Sequence, residues 1–496
     1  MRRRSLGRLL LAAALALPLP GCMVGPDYQR PQVEVPASYR FSVPDVKAIA
    51  DAGWWAGFGD PVLAALVEEA LRNNLDIRIA AARVDQYLGT LVVTRSVLYP
   101  QVGVSPGLPV QAARQRLSHQ SSFAPIPNEV DTEFAFYQAA LSASWELDLW
   151  GKVRRQAESD RATVFASEES RRGVVLSVAA ATASGYIALR DLDRRLLISR
   201  DTARSRGDAF ELFRKRFAGG VVSQVEVAQA EAQYEVALSV IPDYESKIAQ
   251  QETALSLLLA RNPGPIERGK TIDELLPIPV PPGLPSELLE RRPDIRQAEQ
   301  QLIAANAQIG AAKALYFPSI SLTGLFGATS TSLSNLFSGP ARTWTYAATF
   351  AAPIFNAGQI AGQVRQAEAL QQQALATYRR TIQAAFGDVE NALIEAQKSA
   401  QMRDQLKRTV TAQSEYARLA RLRYDNGYTS YLEVLDAERS LFEQQLNYAS
   451  SQDAALAAQI AIYKAMGGGW VDVADRLTPA GNATPLPQRA AEQPLF

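Results

Sequence analysis

Residues 137 to 149 alternate in polarity one by one, with Tyr137, Ala139, Leu141, Ala143, Trp145, Leu147 and Leu149 on one side and Gln138, Ser142, Ser144, Glu146 and Asp148 on the other. A period of two predicts a strand with one apolar and one polar face. Ile320, Leu322 and Phe326 against Ser319, Ser321 and Thr323 repeat the pattern over 319 to 329, as do Trp344, Tyr346, Phe350 and Ile354 against Thr343, Thr345 and Thr349. Residues 101 to 112 alternate more weakly, with Pro106 and Pro109 tolerable at an edge or bend. The rest of the pattern is helical and long. No proline interrupts residues 155 to 217 or 359 to 424, and both stretches are dense in Ala, Gln, Glu, Arg and Leu. At ~1.5 Å per residue each helix would run ~95 to 100 Å. A single globule cannot use such helices, so they imply a rod or tube. Shorter helices, about 62 to 98 with 223 to 260 and 290 to 316 with 429 to 465, can stack end to end beside them.

The chain also repeats itself. Leu75-Asp76-Ile77-Arg78, leading to Leu98-Tyr99-Pro100, recurs as Pro293-Asp294-Ile295-Arg296, leading to Tyr316-Phe317-Pro318. Arg155-Gln156-Ala157-Glu158 recurs as Arg365-Gln366-Ala367-Glu368, and Arg216, Gly220, Ser223, Glu226 and Val227 recur as Arg423, Gly427, Ser430, Glu433 and Val434. Each half reads as helix, strand, strand, long helix, hairpin turn, helix. Gly220 and Gly427 suit the left-handed end of a helix, and the S-x-x-E spacing of Ser223 with Glu226 and of Ser430 with Glu433 is that of a capping box starting the next. A proline-rich stretch from 263 to 285 joins the halves as an extended surface connection.

Four strands of about ten residues, apolar on one side and rich in Ser, Thr and Gln on the other, match a transmembrane barrel with a wet interior. A soluble sandwich is the alternative. Tyr137, Trp145, Trp344 and Tyr346 suit the aromatic belts of a membrane interface. Because a barrel needs roughly eight strands or more, four require oligomerisation without choosing between two and three chains.

Composition narrows the function further. Among 496 residues acids and bases balance at 51 each, which gives no bias toward nucleic acid. One histidine, His119, and one cysteine, Cys22, remove His/Cys zinc sites and dithiol chemistry. His119 lies in a Gln/Ser-rich stretch without a nucleophile elbow and reads as loop; there is no Walker-type loop, and no catalytic or metal-binding residue is assigned. The N-terminus is an export signal, with Arg2, Arg3, Arg4 and Arg8 before an apolar run from Leu9 to Leu19 too short to span a bilayer. Leu19-Pro20-Gly21-Cys22 resembles a lipobox, which would acylate Cys22; an ordinary cleavage site with a buried cysteine nearby is the alternative. No further run of about twenty apolar residues is evident, so a membrane-spanning part would be a β-barrel.

In this order the motifs identify a family. Gly21-Cys22-Met23-Val24-Gly25-Pro26-Asp27-Tyr28, Trp54-Trp55 with Phe58-Gly59-Asp60-Pro61, Arg291-Arg292-Pro293-Asp294-Ile295, Phe317-Pro318-Ser319-Ile320 and Gly467-Gly468-Gly469-Trp470 resemble the TolC-like outer membrane factors, in the lipoprotein branch serving resistance-nodulation-division pumps. The resemblance implies a mainly α fold with β: a homotrimer with one twelve-stranded transmembrane β-barrel, continuous with a periplasmic α-helical barrel and girdled by an equatorial belt. It divides the chain into a signal peptide (1–21), a lipidated N-terminal segment with part of the belt (22–61), a first repeat (62–262), an inter-repeat belt connection (263–289), a second repeat (290–466) and a tail (467–496). It implies a passive exit duct for drugs, other small molecules or metal ions, with no cofactor beyond the acyl lipid on Cys22. The partners it implies are a periplasmic adaptor docking at the hairpin tips around Gly220, Ser223, Glu226, Gly427, Ser430 and Glu433, an inner membrane transporter, and outer membrane lipid. Leu432 and Asp436 match the gate residues of related channels, and three copies of Asp436 would form an acidic, cation-favouring constriction. Gln229 stands at the equivalent place in the first hairpin. Glu146 and Asp148 would face the lumen or its rim. A channel for type I protein secretion has the same architecture and is the alternative; an adaptor lipoprotein lacks two long hairpins with four amphipathic strands, and a lipoprotein hydrolase needs a catalytic constellation.

Overall fold

A computed structural model describes residues 23–36, 38–40, 53–105, 111–117, 130–278, 285–468 and 478. Cys22, His119 and Trp470 lie outside the described residues. The first half contains α1 (Pro61–Asn73), α2 (Leu75–Ser96), β1 (Gln101–Ser105), β2 (Gln111–Leu117), β3 (Val130–Leu147), α3 (Lys152–Ala218) and α4 (Gln224–Leu258). The second contains α5 (Pro285–Arg291), α6 (Pro293–Ala314), β4 (Ser319–Ser330), β5 (Arg342–Ala351), α7 (Gln359–Asp425) and α8 (Tyr431–Ala465). Corresponding helices have the same lengths: 22 residues in α2 and α6, 67 in α3 and α7, and 35 in α4 and α8. The long pair therefore runs about 100 Å.

The expected helix from about 62 to 98 is two helices, because Asn74 takes an extended backbone and caps α2. Its Oδ1 accepts from the amides of Asp76 at 2.9 Å and Ile77 at 3.2 Å. Its Nδ2 meanwhile donates to the Leu258 carbonyl at 2.8 Å, so the end of α4 abuts the start of α2. At the matching place Arg292 donates to the Ala465 carbonyl at 2.9 Å and seats α8 against α6. Each short pair thus stacks into one stave.

Four staves lie side by side. α3 packs against α2 and α4 and also against α6 and α8, and α7 packs against α6 and α8. The order across the wall is therefore α2/α4, α3, α6/α8, α7. The apolar stretch of α3 long enough to cross a membrane, with mean hydropathy 1.4, is mostly buried in this packing. Ala179, Ala183, Tyr186 and Ile187 within it are fully enclosed and meet Trp54, Trp55, Phe58 and α1 in the main core.

The sheet repeats the same order. β1 and β2 both pair antiparallel with the long β3 and so share one place in the order, and β4 and β5 follow. β3 begins before residue 137 and stops at Leu147, and β5 stops at Ala351, leaving Leu149 and Ile354 outside the strands. The register aligns the apolar faces: Val104 opposes Leu141, Leu141 opposes Phe326, and Phe326 opposes Trp344. Ser144, Thr323 and Ala347 line up on the other face. Among the described residues nothing covers either face. Trp344, Tyr346 and Phe350 are 63%, 81% and 66% exposed, and Thr345 and Thr349 opposite them are exposed too. A sandwich would bury the apolar side, which the described residues leave open.

Outside the wall runs an irregular strap. Val24 donates its amide to the Trp150 carbonyl at 3.1 Å. Gly25 presses on Gly310 so closely that a Cβ there would lie 2.4 Å from the Gly310 Cα. The Arg155 guanidinium donates to the carbonyls of Val24 and Gly25 and to Asp27, the last at 2.7 Å. Lower down, the inter-repeat connection is knotted to the wall by Asp60, which is 1% exposed. Asp60 accepts from the Val62 amide at 2.9 Å, the Tyr186 hydroxyl at 2.9 Å and the Lys270 amide at 3.0 Å.

Candidate functional site

The helix faces distinguish the inside of the wall from the outside. A cleft of about 620 Å³ near the sheet is bounded by residues of α2, α3, α6 and α7 together, including Val93, Gln156, Gln308 and Leu370. Four consecutive staves can share one cleft only on their concave side. The strap contacts Arg155 on α3 and Gly310 on α6, whereas the cleft takes Val153 from α3 and Gln308 and Ala312 from α6, each two residues away and so on the opposite helix face. Strap and concave surface are therefore on opposite sides.

α8 has an outer and an inner face too. Gln452 donates to Asp273 at 3.0 Å and Gln459 accepts from the Ile278 amide at 2.9 Å, so these two residues, seven apart, mark the outer face. Residues two positions on, Ala454 and Ala461, project to the concave side. Following that row toward the tip reaches Asn447, Glu443 and Asp436, all exposed. Leu432, four residues from Asp436 and 63% exposed, completes the strip. Both gate candidates therefore stand on the inner surface of α8, just beyond the second hairpin turn. Asp436 is not alone, however, because Arg439 donates to its carboxylate at 2.9 Å. Each chain offsets its own acid, which weakens the purely acidic ring expected from Asp436. Gln229 is partly buried on α4.

The turns are built as their sequences ask. Gly220 and Gly427 have φ of 70° and 75°, and two backbone bonds close each turn: Gly220 to Phe217 and Val221 to Arg216, matched by Gly427 to Tyr424 and Tyr428 to Arg423. This double closure is the Schellman motif. The caps then differ. Glu226 accepts from the Ser223 amide at 2.8 Å and from its hydroxyl at 3.2 Å. Glu433 instead crosses the turn to Arg423 at 2.9 Å and accepts from the Thr429 hydroxyl. This hairpin is thus tied arm to arm by a pair that Arg216, at the equivalent place in the first hairpin, does not make with Glu226.

Two features of the tips escaped the sequence reading. Val221 and Tyr428 are 74% and 77% exposed at equivalent places, an apolar pair on the end surface that the repeat alignment could have revealed. Behind them Phe213, Tyr424 and Tyr431 pack together, with Phe213 and Tyr431 centroids 4.2 Å apart, joining α3, α7 and α8. Burial pushes the Tyr431 hydroxyl up to about 12 and also raises the Glu438 carboxyl, despite the opposing charges of Arg421 and Arg206. Arg206 itself is buried, donates to the Gln233 carbonyl at 3.0 Å and lies over the Phe442 ring.

Other candidate residues serve the junction with the sheet. Asp148 accepts from the amides of Val153 and Arg154, both at 3.0 Å, so it caps α3. Glu146 pairs with Lys152 at 2.9 Å. The Trp145 indole donates to the Leu98 carbonyl at 2.9 Å, holding β3 to the end of α2, and Tyr137 is partly buried. Trp344 and Tyr346 stack in parallel at 5.6 Å on the open sheet face.

One titratable cluster sits in the middle of the wall. Burial, with Asp191 nearby, pushes the Asp453 carboxyl up to about 6, while Arg195 opposes the shift. Arg195 pairs with Asp191 at 2.8 Å and is also hydrogen-bonded to Tyr244. A carboxyl raised in the folded state favours folding on the acid side, and that advantage is lost as pH rises from about 4 through about 6. Asp453→Asn is therefore expected to stabilise the protein at pH 7.5 by on the order of 1 to 3 kcal/mol, with little difference from wild type at pH 4. Urea unfolding at both pH values measures this; equal differences would refute it.

The chain is similar to known proteins along nearly its whole length. The sequence profile of the outer membrane efflux protein family matches residues 66–261 and 284–468. A probable outer membrane lipoprotein, SilC of Salmonella typhimurium, is 35% identical over 93% of this chain and 99% of its own. A probable efflux pump outer membrane protein of Pseudomonas putida, TtgC, is 35% identical over 94% of this chain and 96% of its own. Among solved structures, the open state of the Neisseria gonorrhoeae MtrE outer membrane channel superposes with a TM-score of 0.80 at 31% identity, covering 93% of this chain and all of that one.

Proposed function

Since the chain belongs to the outer membrane efflux protein family, and so forms the outer membrane channel of a tripartite efflux pump, we propose that three copies close edge to edge into one passive duct. The carrying observation is the shared order of staves and strands: the wall ends in α2/α4 with β1 on one side and α7 with β5 on the other. The two edges are unlike, so contact between copies is head to tail, and such contacts generate rings when the rotation closes. Closure would pair the two open strand edges, which are costly in a membrane. Three chains of four strands give twelve, within the range of transmembrane barrels.

The open apolar face of the sheet then meets lipid and the opposite face water. The row from Ala461 to Asp436 lines the lumen, and Leu432 and Asp436 narrow its periplasmic end. The tips, with Gly220, Ser223, Glu226, Gly427, Ser430 and Glu433 and the exposed Val221 and Tyr428, form the surface on which an adaptor docks and splays the hairpins. An inner membrane transporter of the resistance-nodulation-division type supplies the energy, and this chain carries no catalytic chemistry or cofactor.

An acyl anchor on Cys22 suits the geometry of its neighbour. Met23 lies against Gly151, where β3 passes into α3, and hence where the barrel would leave the membrane. More than one acyl chain there would hold the protein stably, at ~0.8 kcal/mol per buried CH₂. Cys22→Ser should be exported but carry no lipid, as read by metabolic labelling with a fatty acid; label persisting on the variant would remove the anchor from this residue. In planar bilayers, purified assemblies should show discrete steps of conductance, and their absence would defeat the channel itself.

A further inference from the structure

We propose that a cleft on the concave face between α2 and α3 is a binding subsite for an amphoteric organic solute in transit, one carrying a cation and an anion about 10 Å apart on an apolar body. The proposal rests on the reading of that face as a channel lumen. The cleft, of about 690 Å³, sits below the one near the sheet and lies on the same helix rows. Its Asp76, Ile79 and Ala80 fall a whole number of heptads from Val97, Val93 and Thr94 of the upper cleft, and its Ser167 and Ser170 from Val153 and Gln156.

The chemistry of the lining is specific. Asp76 and Arg83 are seven residues apart on one face of α2, about 10 Å along its axis. Both are exposed, and neither side chain makes an ion pair or hydrogen bond among the described residues. Between them Ile79, 57% exposed, and Val174 across the cleft offer apolar contact. At the floor Ser167 is only 6% exposed, yet its Oγ has no hydrogen-bond partner. A buried hydroxyl left unmatched costs about 1 to 3 kcal/mol unless something supplies the bond. Asp76 alone could be explained by its place in the first turn of α2, where an acid favours the helix. That leaves Arg83, Ser167 and the apolar bridge unexplained. Together they fit a molecule whose ammonium reaches Asp76, whose carboxylate reaches Arg83 and whose polar edge meets Ser167. A volume near 700 Å³ also suits a drug-sized ligand.

The test uses full-length assemblies in nanodiscs and the fluorescent zwitterionic quinolone norfloxacin, compared with its ethyl ester, which keeps the ammonium and loses the carboxylate. Wild type should bind the acid about fivefold more tightly than the ester, the difference expected of one exposed charge pair. Arg83→Gln should bring the acid down to the level of the ester, Arg83→Lys should restore part of the preference, and Asp76→Asn should weaken both ligands. Equal binding of acid and ester to wild type, or a preference unaltered by Arg83→Gln, overturns the subsite. The same preparations are then fused with planar bilayers. Selective binding without conductance would sink the channel reading and leave the subsite standing, whereas conductance without selective binding would do the reverse.

Discussion

Asp60→Ala is expected to loosen the belt severely, lowering stability by about 3 to 5 kcal/mol and reducing the yield of heat-resistant assemblies. The buried carboxylate accepts three hydrogen bonds from three separate segments: the Val62 amide that starts α1, the Tyr186 hydroxyl from the middle of α3, and the Lys270 amide of the inter-repeat connection. Alanine would leave those donors without partners in a site that water does not reach. Tyr186→Phe is the graded control. It removes the hydroxyl that also accepts from the Gly269 amide at 2.8 Å, and should cost about 1 to 3 kcal/mol. Urea unfolding followed by tryptophan fluorescence suits both variants, because Trp54 and Trp55 lie in the adjoining core. A loss below about 1 kcal/mol for Asp60→Ala would mean that the belt is held by its apolar contacts alone.

At the other end of the molecule, Asp436→Ala should raise single-channel conductance at least about twofold, because it trims the narrowest proposed part of the duct. Wild-type assemblies should conduct poorly. Size and charge act separately at this position. Arg439 sits on the same inner strip, 2.9 Å from the Asp436 carboxylate, and offsets it. Such an exposed pair contributes little to stability, about 0 to 1 kcal/mol, so changing either partner leaves the helix intact. Arg439→Gln should consequently leave conductance near wild type and shift the reversal potential toward cation preference in a salt gradient. If Asp436→Ala conducts like wild type, the constriction lies elsewhere on the hairpins.

Much of this was legible in the sequence, for physical reasons that differ from element to element. The alternation over residues 319 to 329 and 343 to 354 reports a sheet with one apolar and one polar face, and the register that aligns Phe326 with Trp344 keeps the two faces separate. The proline-free stretches placed the long helices within a few residues of their ends, because at that length propensity and packing agree. Gly220 and Gly427 announced their turns because a left-handed residue is hard to make otherwise. Asn74, by contrast, was hidden: a capping residue inside a continuous helical pattern shows only when its side chain is seen to serve both α2 and the end of α4. The exchange of partners at Glu433 was hidden for the same reason, since Arg423 lies on the other arm of the hairpin. Asp148, expected at the lumen or its rim, is committed to the start of α3. The strap was opaque too. Nothing in Gly25-Pro26-Asp27 alone says that the chain runs over Gly310 and Arg155.

The proposed pairing of unlike edges is what closes the duct, and the mass of the native assembly tests it most directly. Native mass spectrometry of the detergent-extracted protein should give a single species of three chains, each close to the 54.0 kDa of the full sequence less its signal peptide plus lipid. A monomer, or an even-numbered assembly, would contradict the closed twelve-stranded duct.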